Sequence, residues 1–176
     1  MNGVFEPKKF FGRYRGTVVS NVDPMQMGRL LVRVPDVLGN DPCIWAVSAS
    51  PLAGQGMGLY MVPPPGSGVW IEFEQGDPNT AMWTGCWRGS ATDIPPVAKA
   101  APPVTPPIVL GTSGQNTLMI SDVPGPTGGI MIRCKTGAFI SISDLGITIS
   151  NGKGATLTMI SGPIVNVNNG ALTITS

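Results

Sequence analysis

The chain reads as all-β and in two parts: a small five-stranded barrel, then a C-terminal run of short strands that share one apolar face. Three observations predict this. Nowhere in the 176 residues do apolar positions recur at the 3.6-residue period of an amphipathic helix. Between Gly12 and Trp87, five runs alternate apolar and polar with period two and are separated by turn residues. From Gln115 to Ser176 come seven apolar pairs: Leu118/Ile120, Ile130/Ile132, Ile140/Ile142, Ile147/Ile149, Leu157/Met159, Val165/Val167 and Leu172/Ile174. Each pair is spaced by two, so both side chains point to one face of a strand.

Bulk composition narrows the classes. A formal net charge of +1 and 12% charged residues argue against a general binder of nucleic acid or of acidic substrates. The 24 Gly and 18 Pro would suggest disorder, but 42% hydrophobic residues supply a core. No secretory leader is visible at Met1-Asn2-Gly3-Val4-Phe5-Glu6, so synthesis in the cytoplasm is expected. The absence of His removes Ser-His-Asp and Cys-His catalysis and most zinc chemistry, and no cofactor is expected. Cys43, Cys86 and Cys134 are odd in number and widely spaced, which suggests buried thiols. Cys134 continues the phase of Ile130 and Ile132.

Residues 1–11 read as a docking arm. Lys8, Lys9 and the following Arg13 interleave with Phe10 and Phe11, a mix that suits stacking on single-stranded nucleic acid or docking on a partner protein. No basic stripe continues the track, which favours the protein partner. The barrel follows over 12–92. Thr17-Val18-Val19 leads into the turn Asn21-Val22-Asp23-Pro24, and a second strand has Leu30, Val32 and Val34 on one face until Pro35 ends it. The remaining strands are Ile44–Val47, Val69–Glu74 and Ala81–Trp87, and closure protects their edges. The Gly-rich stretch 51–68 lacks the following helix and the Lys of a phosphate loop. Glu72 and Glu74 share a strand face; glycoside hydrolysis needs its two carboxylates flanking a sugar across a cleft, and the outward phase beside Trp70 suits a solvated face or subunit contact instead.

Six prolines in residues 93–117 predict a stiff, extended linker. Beyond it, over 118–176, the apolar pairs start 7 to 12 residues apart, with corners such as Ser143-Asp144-Leu145-Gly146 and Asn151-Gly152-Lys153-Gly154. This spacing leaves no room for helices. A single aromatic, Phe139, stands in the region, which has little of its own to bury the shared face against. Copies of the chain wrapped around a common axis would supply the cover; a one-chain β-solenoid or a small sandwich are the alternatives on pattern alone.

Residues 12–89 resemble the N-terminal domain of the central spikes of contractile injection systems, namely the phage baseplate assembly protein V type and the valine-glycine-repeat protein of type VI secretion. The matching words include Gly16-Thr17-Val18, Asn21-Val22-Asp23-Pro24, Gly28–Pro35, Pro51-Leu52-Ala53-Gly54, Pro64–Phe73 and Gly76-Asp77-Pro78. The C-terminal words Gly146–Gly154 and Val165–Ile174 resemble the same family's needle. The resemblance implies an oligonucleotide/oligosaccharide-binding (OB) fold followed by an intertwined triple-stranded β-helix, with the fourteen paired apolar residues as the core of a homotrimer. It implies a non-enzymatic structural protein in a phage virion or injection-system particle. The spike would cap the tail tube, touch the target membrane in piercing the envelope, and meet a hub protein, other baseplate components and a separate tip protein. Lys8, Lys9, Phe10, Phe11 and Arg13 would then face the hub. No lysozyme segment and no His-x-His iron tip are present, so neither wall cutting nor a metal site is implied. The rival readings are a nucleic-acid-binding OB module and a glycan-binding spike.

Overall fold

The computed structural model describes residues 8–160 and 162–174, with residues 173 and 174 described by backbone alone. The chain divides into two compact units, Met1–Gly89 and Ser90–Ser176.

In the first unit, β1 (Tyr14–Ser20), β2 (Leu30–Arg33), β3 (Cys43–Ser48), β6 (Gly68–Phe73) and β7 (Ala81–Trp87) close a barrel in the order β1-β2-β3-β7-β6. All neighbours are antiparallel except β3 and β7, which run parallel. Alternation decides the interior. Val18, Leu30, Val32, Val34, Ala46, Val69, Ile71, Phe73, Ala81 and Trp83 form one buried cluster, while Arg15, Thr17 and Glu72 stand on the outward phase. Pro35, without an N–H to offer the ladder, instead opens the single helical turn α1 (Pro35–Leu38).

Two local devices set the barrel's outline. Asp23 organises the β1–β2 loop. Its carboxylate accepts from the backbone N–H groups of Met25 (3.0 Å), Met27 (2.9 Å) and Arg29 (3.2 Å), and from the Arg29 guanidinium at 2.7 and 3.0 Å. The guanidinium in turn lies over the Trp45 ring, 5.1 Å from its centroid. The second device is Gly68 beneath Trp87, whose indole donates to the Val69 carbonyl at 3.2 Å. A Cβ on Gly68 would sit 2.4–2.7 Å from the ring, so only glycine fits. The long 49–67 connection is ordered by a short hairpin, β4 (Ala53–Gly54) with β5 (Met57–Gly58). Around it a groove of about 370 Å³ is lined by Met27, Leu52, Met57, Tyr60 and Trp83, among others.

The second unit is a meander of eight strands: β8 (Ile108–Gly111), β9 (Thr117–Ser121), β10 (Gly129–Arg133), β11 (Phe139–Ser143), β12 (Gly146–Ser150), β13 (Thr156–Ile160), β14 (Val165–Val167) and β15 (Leu172–Ile174). Each pairs antiparallel with the next, so the backbone ladders are satisfied within one chain.

Two features differ from expectation. The Pro-rich stretch is not extended throughout. It contains the helical turn α2 (Pro96–Lys99) and the first strand of the sheet. Residues 97–102 also lie over one face of the sheet, enclosing a cavity of about 230 Å³ with Met119, Ser121 and Met131. The physical reason is that Pro forbids strand and helix interiors but tolerates the first turn of a helix, and none falls within Ile108–Gly111. The cysteines are the second difference: Cys43, Cys86 and Cys134 are all exposed in the chain. Cys134 leaves the strand phase because it starts a turn, accepting from the Gly137 N–H at 2.9 Å, where Gly137 takes φ +93°.

Candidate assembly interface

The registers align the paired apolar residues into two columns on one face of the sheet. The first column is Leu110, Leu118, Ile132, Ile140, Ile149, Leu157, Val167 and Leu172. The second is Ile108, Ile120, Ile130, Ile142, Ile147, Met159, Val165 and Ile174. Every cross-strand neighbour of an apolar residue in these columns is itself apolar, so the columns run unbroken for eight rows. Seven inter-strand steps of about 4.8 Å make a band about 34 Å long.

This face is uncovered in the chain. Ile132 is 53% exposed, Ile142 46% and Leu172 56%. On the opposite face, Met119, Ser121 and Ser141 are 6–7% exposed. The apolar band is thus outside while Met119 and two serines on the other face are covered, the reverse of a self-sufficient sheet. A contiguous exposed apolar band of this kind marks a surface that another molecule covers.

All fourteen residues expected to form a shared core lie in these columns, Ile174 by its backbone register. Ile108 and Leu110 belong to them as well and were missed. Their signal was the same period-two spacing, masked by Pro106 and Pro107 immediately before them.

The sheet's two edges are lines of turns held by side-chain hydrogen bonds, some within a turn and some between neighbouring turns. On one edge, Asn116 Oδ1 accepts from the Lys135 N–H at 3.0 Å, Asn151 Oδ1 accepts from the Lys153 and Ala155 N–H groups, and Asn168 Oδ1 accepts from the Thr156 N–H at 3.0 Å. On the other edge, Asp144 Oδ2 accepts from the Gly125 N–H at 3.2 Å. Such side-chain bonds fix turn geometry where no regular ladder exists.

The residues expected to face a hub do not form one free arm. Residues 1–7 lie outside the described residues. Phe10 packs on the barrel, 6.3 Å from Phe73 and 6.2 Å from Tyr14 between ring centroids, and its N–H donates to the Gly76 carbonyl at 2.9 Å. Lys8 stands over the Phe10 ring at 5.0 Å. Arg13 pairs with Glu72 at 2.8 Å, and Glu72 also accepts from the Thr84 hydroxyl, so Glu72 is occupied in a surface network. Lys9 and Phe11 are exposed, Phe11 by 72%.

The barrel's electrostatics serve structure. The Arg29 guanidinium beside Asp23, helped by three backbone N–H groups, holds that carboxyl well below the usual carboxylate range. The Asn79 N–H likewise lowers Asp77. No group of three or more His, Cys, Asp or Glu side chains among the described residues is arranged to hold a metal ion.

Among curated proteins none matches the chain. Two family descriptions match it in tandem. The type VI secretion system/phage-baseplate injector OB domain covers residues 14–87, and the phage baseplate V C-terminal trimerisation domain covers residues 107–173. The first coincides with the closed barrel and the second begins one residue before β8 and takes in all of the apolar band but Ile174. The order, extent and architecture of both parts agree, and the chain belongs to the phage baseplate V family of baseplate and injection-system proteins.

Proposed function

We propose that three copies of this chain bring their apolar bands together around one axis and form the homotrimeric central spike of a contractile tail or injection-system baseplate. The observation that carries this is the eight-row band, uncovered in one chain and lying within a trimerisation domain. Each chain satisfies its own backbone ladders, so what a partner adds is cover for side chains. Covering the half-exposed apolar side chains of the band, about sixteen per copy, removes their remaining apolar surface from water and supplies the driving force for association. A rod held along its whole length by such packing resists axial load, which suits a spike that caps the tube and pierces the envelope when the sheath contracts.

In this reading the protein is structural and non-enzymatic. It is made in the cytoplasm and assembled into a virion or injection particle. The barrel docks to a hub at the tube's end and to other baseplate components, with exposed Lys9 and Phe11 as contact residues beside Lys8 and Arg13. A separate tip protein covers the terminal row at Leu172, and the tip touches the target membrane. Nucleic acid plays no part.

Sedimentation equilibrium tests the reading. A mass three times that of one 18.3 kDa chain is expected across micromolar dilution. A monodisperse monomer at those concentrations would overturn it.

A further inference from the structure

The second unit carries few charges, and the topology sorts them. In a meander, successive turns fall alternately on the two edges of the sheet. One edge receives the turns at 112–116, 134–138, 151–155 and 168–171; the other receives those at 122–128, 144–145 and 162–164. From residue 100 onward the charged residues are Asp122, Arg133, Lys135, Asp144 and Lys153. Lys135 and Lys153 lie in turns of the first edge, with Arg133 the last residue of β10 beside it. Asp122 and Asp144 lie in turns of the second. Within the sheet and its turns every cation is thus at one edge and every anion at the other; Asp93 and Lys99 precede the sheet.

These charges do not pair within the chain. All five are exposed, and none takes part in an ion pair among the described residues. The reason is geometric: strands of five residues separate the two edges by about 17 Å, beyond the ~8 Å screening length at physiological salt. A second copy removes this separation. If three sheets turn their apolar faces to one axis, each corner of the prism brings the first edge of one copy against the second edge of the next. Cyclic three-fold symmetry requires this heterologous contact; edge against like edge belongs to a two-fold pair. Without translation along the axis, Lys135 lies one strand, about 4.8 Å, in height from Asp144, and so does Lys153. Asp122, following β9, lies one strand from Arg133 at the end of β10. Four-carbon lysine stems and the arginine fork span such offsets.

We propose that the seams between copies are directed by charge: the Arg133/Lys135/Lys153 edge of each chain meets the Asp122/Asp144 edge of its neighbour. Non-directional apolar packing gives little preference between a closed three-fold ring and other face-to-face pairings. Opposite edges attract in the ring and like edges repel in a two-fold pair, so the sorted charges select the trimer and its register. This rests on the trimeric reading above, and the test separates the two.

In the full chain with Cys43→Ser and Cys86→Ser, the natural Cys134 marks the cationic edge, and Asp144→Cys places a thiol on the anionic edge. With a short bismaleimide, covalent trimers are expected on denaturing gels, and neither single-thiol parent should yield them. Sedimentation of the same samples supplies the control. A trimeric particle that yields only covalent dimers, or no cross-link, overturns the seam while leaving the trimer standing. A monomeric particle overturns both. In parallel, Asp122→Lys with Asp144→Lys should lower trimer affinity at least tenfold. Adding Arg133→Glu, Lys135→Glu and Lys153→Glu, which exchanges the two edges, should restore it. Equal affinity in parent and double variant would also reject the seam.

Discussion

Ile149 on β12 stands directly across from Ile140 on β11 and, on its other side, from Leu157 on β13. It is 39% exposed in the single chain although its cross-strand neighbours are all aliphatic. The exposed part faces away from the sheet, toward whatever covers the band.

Ile149→Asp should therefore act on assembly rather than on the barrel. Each trimer would bury three like charges without partners, at several kcal/mol per ion, moving the monomer–trimer midpoint by more than about a hundredfold in concentration. All four tryptophans, Trp45, Trp70, Trp83 and Trp87, lie in the first unit. Their emission should stay native while sedimentation shows loss of the trimer. An unchanged trimer would remove Ile149 from the shared core.

Gly68→Ala tests the barrel's outer wall. The new methyl would overlap the Trp87 ring, which its hydrogen bond to Val69 holds in place. Displacing the ring should cost about 1–3 kcal/mol, of the order found for overpacked sites. Urea melting followed by tryptophan emission should show a lowered barrel midpoint, with trimer mass unchanged. Adding Trp87→Leu, which removes the overlapping ring, should make the alanine nearly neutral.

Asp23 predicts a pH response. Its folded carboxyl is held below the unfolded value, chiefly by the Arg29 hydrogen bond. A depressed folded value means that the stabilisation is complete above the unfolded value near 4. It is lost as pH falls from there toward the folded value. Asp23→Asn keeps one acceptor oxygen but not the charge. The barrel should then melt lower than the parent at pH 7, and the gap should narrow steadily as pH falls below 4. A gap of the same size at pH 4 and pH 2 would assign the effect to shape alone.

Much of this was legible without coordinates. Period-two pairs and the Gly, Asn, Asp and Pro between them identify the strands and their apolar face. The alternation in Leu30–Val34 and Val69–Phe73 identifies the barrel's inner wall, and both inner sets are buried. Local geometry suffices there, because in an extended chain a residue's neighbour two positions away shares its face whatever else the fold does.

Other features depended on distant pairing. Ile108 and Leu110 joined the band only through their register with Ile120 and Leu118, against the signal of the prolines before them. Phe10 belonged by composition to an arm, yet the Gly76 carbonyl and the Phe73 ring hold it on the barrel. Cys134 shared a phase with Ile132 but not a strand, since a hydrogen-bonded turn begins there. The sorting of Lys135 and Lys153 from Asp122 and Asp144 needed the meander itself. Lys135 and Lys153, 18 positions apart in sequence, share an edge, and Lys135 and Asp144, only 9 apart, fall on opposite edges, once each turn reverses the chain. The amino-acid order thus determined which face of each strand is apolar. The tertiary structure decided what lies beside what, because register and edge are set by hydrogen bonds between strands and not within them.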